Sequence, residues 1–484
     1  MSQKSGARIG VKAFMQSFAI LLALMILTGV LTRVIPAGAY DRIETEGRTL
    51  IDVGSFRLIE RPDYPIWRWL TAPLEVFTIG PDRMTVILLV VLILLIGAAF
   101  AVMDKGGILR AILEALVRKF AARKYLLLMI ITLFFMLLGG AFGILEEVII
   151  LVPVMVGLAY ALGWDSLVGL GISILATNMG FSAAMINPFT IGIAQSIAEL
   201  PAFSGLWFRA IIFAVVYAIF AVFLVRYARR IEKDPQKSLV HAEDTLERSK
   251  YAAFDIHAMQ SLTPRMRSAA IFLAVCLAGI MAMPFIGSLV HGLEDLILPI
   301  VGLLFVLGGI GSGFISGMNF KGVFSAMGEG LSGIAPGVPL ILMAASIKYI
   351  AFTGGIMDTI LHAAAEALAG VSPLAGALMI YGVALVLEIF IGSGSAKAFL
   401  LMPIILPIAD LIGVTRQVAV TAYCLGDGFA NMAYPTNAML LISLGLTAVG
   451  YPKWLRWTAP LWGVIILVSL IFLVIAVSIN FGPF

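Results

Sequence analysis

Residues Leu138 to Gln195 read LGGAFGILEEVIILVPVMVGLAYALGWDSLVGLGISILATNMGFSAAMINPFTIGIAQ, an apolar run interrupted first by glycines and paired glutamates, then by threonine, asparagine and proline. A continuous helix satisfies its own backbone hydrogen bonds. A break at membrane depth strands N–H and C=O groups that lipid cannot bond, so breaks survive where they are buried in protein or line a wet cavity. The stretch therefore reads as a binding site inside a membrane-spanning chain.

The composition agrees. Of 484 residues, 61% are hydrophobic and 12% charged, about half the charged share of a soluble globule, which is roughly 25%. Two cysteines and four scattered histidines supply no disulfide framework and no metal-ligand cluster. The net charge of +4 reads as topology, because the basic residues gather in loops, and nucleic acid is not expected as a partner. Ala37-Gly38-Ala39 has the look of a signal-peptidase site, but the apolar run before it, Ala13 to Ile35, exceeds a signal core of about 7–15 residues and reads as an uncleaved first span.

Working outward, a polar loop from Pro36 to Arg83 follows the first span, with Trp67 and Trp69 expected as interfacial anchors. A span from Met84 to Met103 leads to an amphipathic surface helix, Gly106 to Lys124. The segment Tyr125 to Leu162, broken at Gly139-Gly140 to Gly143, has two arms of about 15 residues, short of the roughly 20 needed to span, and reads as a re-entrant hairpin. A crossing from Ser166 to Glu199, broken between Thr177-Asn178 and Pro188, and a return from Trp207 to Val225 close the first half. After the polar linker come spans near Ser268–Gly287, Leu296–Gly317 and Ile334–Phe352. A second hairpin, Pro373 to Ile412, breaks at Gly392 to Ser395, a second broken crossing runs from Gln417 to Gly450, and the last span begins at Trp457. The divisions are 1–83 (first span and external loop), 84–226 (repeat one), 227–266 (cytoplasmic linker), 267–333 (scaffold spans) and 334–484 (repeat two).

The order of parts repeats, and so do particular residues. At an offset of 250, Pro153 meets Pro403, Gly163 meets Gly413 and Asn187 meets Asn437. Charge sets the relative orientation of the copies: the surface helix Asp104 to Lys124 carries six Lys/Arg, whereas its copy, Thr353 to Ser372, carries none. The copies therefore belong on opposite faces. With the N-terminus inside, 21 Lys/Arg fall in inner segments and 8 in outer ones. The expected fold is an all-α polytopic membrane protein of two inverted-topology repeats, each with a re-entrant helical hairpin and a broken transmembrane helix, with nine crossings and the C-terminus outside.

Charges at bilayer depth are costly, about 2.5–3.5 kcal/mol each on insertion scales. They are Glu146 and Glu147 at the first tip, Glu388 and Lys397 around the second, and Asp427 in the second broken crossing. Arg33 and Lys348, near span ends, are expected to snorkel. The plain reading of the deep charges is an ion pair of Lys397 with Glu388 or Asp427. The functional one is substrate or cation binding. The adjacent Glu146 and Glu147 repel, which points to a proton or a cation. The candidate binding residues are Gly140, Gly143, Glu146, Glu147, Thr177, Asn178, Ser182, Asn187, Pro188 and Thr190 in the first half. In the second they are Ser393, Gly394, Ser395, Lys397, Asp427, Asn431, Tyr434, Pro435, Thr436 and Asn437. Unwound carbonyls with Asn and Thr oxygens suit a small cation, and half-helix N-termini suit a carboxylate.

NPFTIGIAQ (187–195), GSGSAKAFLLMPIILPIADLIG (392–413), AYPTNAMLLISLG (433–445) and VIPAGAYDR (34–42) resemble the YfcC-like branch of the anaerobic four-carbon dicarboxylate carriers, within the ion-transporter superfamily. The resemblance spans nearly the whole chain. It implies a bacterial inner-membrane secondary carrier, a homodimer with scaffold and elevator-like transport domains, and no cofactor. Sodium-coupled relatives carry Ser-Asn-Thr triplets at the hairpin tips and this chain does not. The tips carry Glu146, Glu147 and Lys397 instead, which suit proton coupling or an amino-acid substrate, so the coupling ion is left open between a proton and sodium, with Asn187 and Asn437 as the sodium candidates.

The residues and the resemblance together predict a secondary transporter of a small carboxylate-bearing metabolite, an amino acid, basic ones included, ahead of a four-carbon dicarboxylate. Lys397 or a helix N-terminus would hold the carboxylate, and Glu146 or Glu147 with Asp427 the cation. A channel is the rival class, but no filter-like carbonyl repeat is present. An intramembrane enzyme is disfavoured by the lack of any Ser/His, Cys/His or His-metal constellation in the spans.

Overall fold

The computed structural model describes residues 11–45, 48–81, 83–108, 111, 123–201, 203–251, 263–289, 297–447 and 449–482. Most of the expected surface helix Gly106 to Lys124 lies outside these residues. Among the described residues, seven helices are long and apolar enough to cross a membrane: Phe14–Val34, Lys124–Ala141, Ser166–Ala183, Leu206–Lys233, Phe320–Thr353, Gly394–Leu411 and Tyr451–Ser478. The chain is an integral membrane protein built almost wholly of helices.

One group of helices comprises Arg83–Lys105, Pro264–Leu289, Ile297–Ser316 and Phe320–Ile334, packed against one another. The last falls between the expected spans Leu296–Gly317 and Ile334–Phe352, where the sequence assigns no element of its own. It is helical because its glycines permit close approach: a Cβ at Gly330 would lie 2.2 Å from the Gly97 carbonyl oxygen. Lys105 closes the same contact with a 2.7 Å ion pair to Glu329. A second group joins the first span, Val11–Val34, to Val338–Thr353 and to the short helix Arg68–Thr78. Trp69, expected at the interface, is instead buried, its indole lying over Gly29 where any side chain would collide. Trp67 remains exposed. Arg33 donates to the Tyr64 carbonyl at 2.5 Å, and Lys348 lies over the Phe352 ring at 5.4 Å.

The polar loop after the first span folds into two small antiparallel ribbons, Gly38–Ala39 with Arg57–Leu58 and Arg42–Thr45 with Arg48–Ile51. It grips the helix Met357–Leu368. Arg42 forms a bidentate pair with Asp358 at 2.6 and 2.7 Å, and Thr359 donates to the Pro36 carbonyl at 2.8 Å. The linker makes a separate set of contacts. Glu232 accepts from Lys124 at 2.5 Å, Asp244 from Tyr160 at 2.9 Å and from Ser166, and Glu243 from Lys453 at 2.6 Å. Both ends of the segment Lys124 to Ala161 thus meet one linker. Both ends of Pro373 to Leu411 also come together, since a Cβ on Gly413 would touch Pro373.

Two further helices are buried along their length, Ser166–Ala183 throughout and Arg416–Ala430 from Gln417 onward, and correspond to the two expected broken crossings. They touch at Gly428, where a Cβ would sit 2.5 Å from Ser182 Cα. The helix Lys124–Leu137 and its continuation through Gly139 press as closely on Ala176–Ala183: a Cβ on Gly180 would lie 1.8 Å from the Met136 carbonyl oxygen, and one on Gly139 2.0 Å from that of Thr177.

Candidate functional site

Each crossing breaks near its middle. The helix Ala176–Ala183 stops where Ala184 adopts a left-handed backbone with φ 43°. The chain then bends at Met185 and Ile186 to reach Asn187, whose Oδ1 accepts from Phe189 N at 2.9 Å and starts a new helical segment at Pro188. The sequence had placed the start of this break at Thr177-Asn178; both are helical. Thr177 donates to the Ser173 carbonyl at 3.0 Å and Ser182 to that of Asn178 at 2.7 Å, so their hydroxyls are spent on their own helix. The second crossing breaks where expected. Asn431 ends the helix Arg416–Ala430, Tyr434, Pro435 and Thr436 form the half-buried turn, and Asn437 caps the helix Ala438–Gly445 through Met439 N and Leu440 N.

The glycine-rich segments expected as hairpin tips sit beside these breaks. At the first, Gly143 takes φ 69° and lies against Asn187, where a Cβ would come within 2.4 Å of Oδ1. Gly140 accepts from Ile186 N at 3.1 Å, tying the tip to the break. Glu146 and Glu147 open a short helical turn just beyond, but their side chains lie outside the described residues. At the second tip, Ser393 caps the helix that begins at Gly394, with Ser395 Oγ 3.3 Å from its own hydroxyl. Tyr423 donates to the Gly394 carbonyl.

Three buried charges meet here. Lys397 donates to Glu388 and, at 2.7 Å, to Asp427 Oδ1, all three having at most 1% exposure. The sequence paired Lys397 with one acid or the other; the structure joins it to both. Fully ionised, the cluster keeps one negative charge in excess. Asp427 Oδ2 has no partner among the described residues. A point one Cβ bond from Gly394 lies 2.8 Å from Asp427 Oδ2 and 2.9 Å from Thr190 Cγ2, so Thr190 of one half faces Asp427 of the other across a glycine.

Further polar atoms around the first break are buried and unpartnered among the described residues: Asn187 Nδ2, Thr190 Oγ1, and both amide atoms of Asn178. The Asn187 amide orientation follows from the Phe189 N–H, which needs the oxygen, leaving the NH2 outward. At the second break the equivalent amine is satisfied, Asn437 Nδ2 donating to Asn431 Oδ1 at 3.0 Å. Both asparagine side-chain oxygens accept backbone N–H bonds. No group of three His, Cys, Asp or Glu able to hold a metal is found among the described residues.

Arg209, counted from sequence among the outer-loop charges, is 1% exposed. It donates to the carbonyls of Met185, Phe203 and Ser204 at 3.2, 3.1 and 2.8 Å, satisfying the unwound segment. Its place near the end of an apolar span concealed this. Glu388 carried a legible signal, lying nine positions before Lys397 across a glycine tip, which sets both at one depth.

Comparison with known proteins follows this geometry. A family model described as DcuC, C4-dicarboxylate anaerobic carrier, matches residues 14–478. An Escherichia coli (strain K12) protein, "Putative basic amino acid antiporter YfcC", is 28% identical over 94% of this chain and 95% of its own. An uncharacterised Haemophilus influenzae protein is 27% identical over 96% and 97%. The solved Alcanivorax borkumensis YdaH transporter is 20% identical, with a TM-score of 0.46 over 97% of this chain and 100% of its own.

Proposed function

Because the chain belongs to the C4-dicarboxylate anaerobic carrier family, we propose that it is a secondary active transporter, ion-coupled or exchanging, of a small carboxylate-bearing metabolite, with an amino acid, basic ones included, ahead of a four-carbon dicarboxylate. The observation that carries this reading is a pair of opposite poles one helical turn apart. Asn187 Nδ2 is a buried donor at the start of the segment Pro188–Ile197, whose N-terminus favours an anion. Three residues on, the Thr190 methyl and Asp427 Oδ2 converge on one point beside Gly394, and Asp427 Oδ2, without a partner among the described residues, is the acceptor pole. A substrate carboxylate fits the first pole and its ammonium the second, where it would offset the excess charge of the Lys397 cluster.

Lys397 is engaged by two acids, so in this reading it holds Asp427 in place and the helix N-terminus takes the carboxylate. Asp427 is also the group through which a proton would couple. A dicarboxylate would leave the Asp427 pole facing a second anion unless a proton or sodium ion travelled with it. The family description favours that alternative, and the name of the Escherichia coli relative favours a basic amino acid.

The elevator arrangement is part of the proposal: two inverted repeats in a homodimer of the bacterial inner membrane, N-terminus inside. Support comes from the two hairpin-like segments, one with both ends at the linker and the other with its ends joined at Pro373 and Gly413. Counterflow into proteoliposomes loaded with lysine, arginine, glutamate or succinate, under imposed pH and sodium gradients, tests the reading. Labelled amino acid should concentrate against its gradient. Exchange of succinate alone would install the dicarboxylate reading, and equilibration without concentration would replace a carrier with a channel.

A further inference from the structure

Away from the breaks, a groove of about 600 Å³ runs between the helices Leu206–Lys233 and Tyr451–Ser478. Ala218, Val222 and Phe223 line one wall, and Pro460, Leu461 and Val464 the other. At its end stand Arg226 and Arg230, one turn apart on one helix and both exposed. From Ala218 to Arg230 is twelve residues, about 18 Å at 1.5 Å per residue, a little over one leaflet of a hydrocarbon core about 30 Å thick. We propose that this groove is a binding site for one anionic phospholipid, its acyl chain against Val222 and Val464 and its phosphate between Arg226 and Arg230.

Charge complementarity selects that occupant. The apolar walls match a lipid tail, and two guanidinium groups with no ion pair among the described residues supply the forked donors that suit a phosphate. Of the neighbouring basic residues, Arg229 lies over the Tyr125 ring at 4.9 Å, and Lys237 pairs with Asp234 at 3.2 Å. A second copy of the chain fits less well, because a two-fold interface would set the same two arginines against themselves. Tyr227 gives the site a route to the rest of the molecule. It lines the groove, yet its hydroxyl donates at 2.6 Å to Asp165, which also accepts from Ser238 at 2.7 Å and heads the first buried crossing. Lipid in the groove would pack against the residue that ties this crossing to the linker.

The test is native mass spectrometry of the full chain released from detergent with phosphatidylglycerol or phosphatidylcholine, alongside thermal unfolding in each. The wild type should retain one phosphatidylglycerol in preference to phosphatidylcholine. Arg226→Gln/Arg230→Gln should lose that preference with at least a tenfold weaker retention, Val222→Trp should weaken retention of both lipids, and Arg229→Gln should behave as wild type. Equal unfolding temperatures in lipid-free detergent show that the variants fold. Equal retention of both lipids by the wild type, or unchanged retention by the double variant, overturns the proposal. So does displacement by glycerol phosphate at equal concentration, which marks an anion site without a lipid. A change from dimer to monomer in the double variant, with no lipid difference, would give the groove to a second copy and overturns it as well.

Discussion

Asp427→Asn separates the two tasks assigned to this carboxylate, because the amide keeps the shape and removes the charge. In the native cluster Lys397 faces Glu388 and Asp427 together; after the substitution Lys397 and Glu388 remain as a neutral pair, and no charge is left uncompensated. Stability should change by less than about 1 kcal/mol, in contrast to Lys397→Met, which strands two buried acids and should cost about 3–5 kcal/mol. Binding should respond in the opposite order. A hydrogen bond from a substrate ammonium to a charged acceptor contributes roughly 1.5–3 kcal/mol, and each 1.4 kcal/mol is tenfold, so Asp427→Asn should weaken binding about 10- to 150-fold. Ligand-induced thermal shifts on the purified chain, with and without substrate, read both quantities, and counterflow reads transport. Wild-type ligand shifts and wild-type pH-driven exchange in Asp427→Asn would refute the acceptor pole. If the ligand-free protein were as unstable in Asp427→Asn as in Lys397→Met, Asp427 would be only a counter-ion, and the reasoning would fail on that side.

Asn187→Ala should remove the donor pole and a helix cap together, costing about 1 kcal/mol of stability and roughly tenfold in affinity for carboxylate-bearing ligands, with amines that lack a carboxylate unaffected in competition binding. Gly180→Ala should separate the first hairpin arm from the crossing, since its Cβ would lie 1.8 Å from the Met136 carbonyl oxygen; a loss of about 1–3 kcal/mol is expected, read as a lowered unfolding temperature. In the linker, burial pushes the Asp244 carboxyl up from 3.8 to about 6, so the folded chain holds this proton more tightly than the unfolded chain does. Stability conferred by that proton is present below about pH 4 and lost as pH rises to about 6, roughly 3 kcal/mol in all. Unfolding temperatures across pH 4–7 should fall through that window in the wild type and fall less in Asp244→Asn, with the buried Asp165, also raised by burial, leaving a residual slope of the same sign.

The breaks were legible because Gly, Pro and Asn declare them: Gly143 at φ 69°, Pro188 as the first residue of its helical segment and Asn437 as a cap sit where their chemistry puts them. The start of the first break was misplaced because Thr177 looks like a residue freed from a helix, and periodicity cannot report that its hydroxyl bonds back to Ser173 within one. Ala184, the residue that in fact leaves the helix in a left-handed conformation, carries no such signal. Arg209 was hidden for a related reason. A guanidinium near a span end reads as interfacial, and only tertiary folding brings three carbonyls to it. The glycines of Phe320–Ile334 argue against a helix in isolation and for one when a second helix packs on them, a choice made at Gly97.

Positions 250 residues apart bear on the proposal that the two halves bind different ends of one molecule. Asn187 and Asn437 correspond, and each uses its oxygen to cap the helix that follows. The amine of Asn437 is then taken by Asn431, whereas the residue 250 earlier is Phe181, which can accept nothing, so the amine of Asn187 is left to a ligand. The acid at 427 has Thr177 as its counterpart, a hydroxyl spent on its own helix, so the acceptor pole exists in the second half alone. Two halves that had stayed alike would set identical poles on either side of the midplane and suit a ligand with identical ends. In the proposed repeat the two halves differ at one partner each, leaving a donor from the first half and an acid from the second, a polarity that suits the proposed ligand with a carboxylate at one end and a cation at the other.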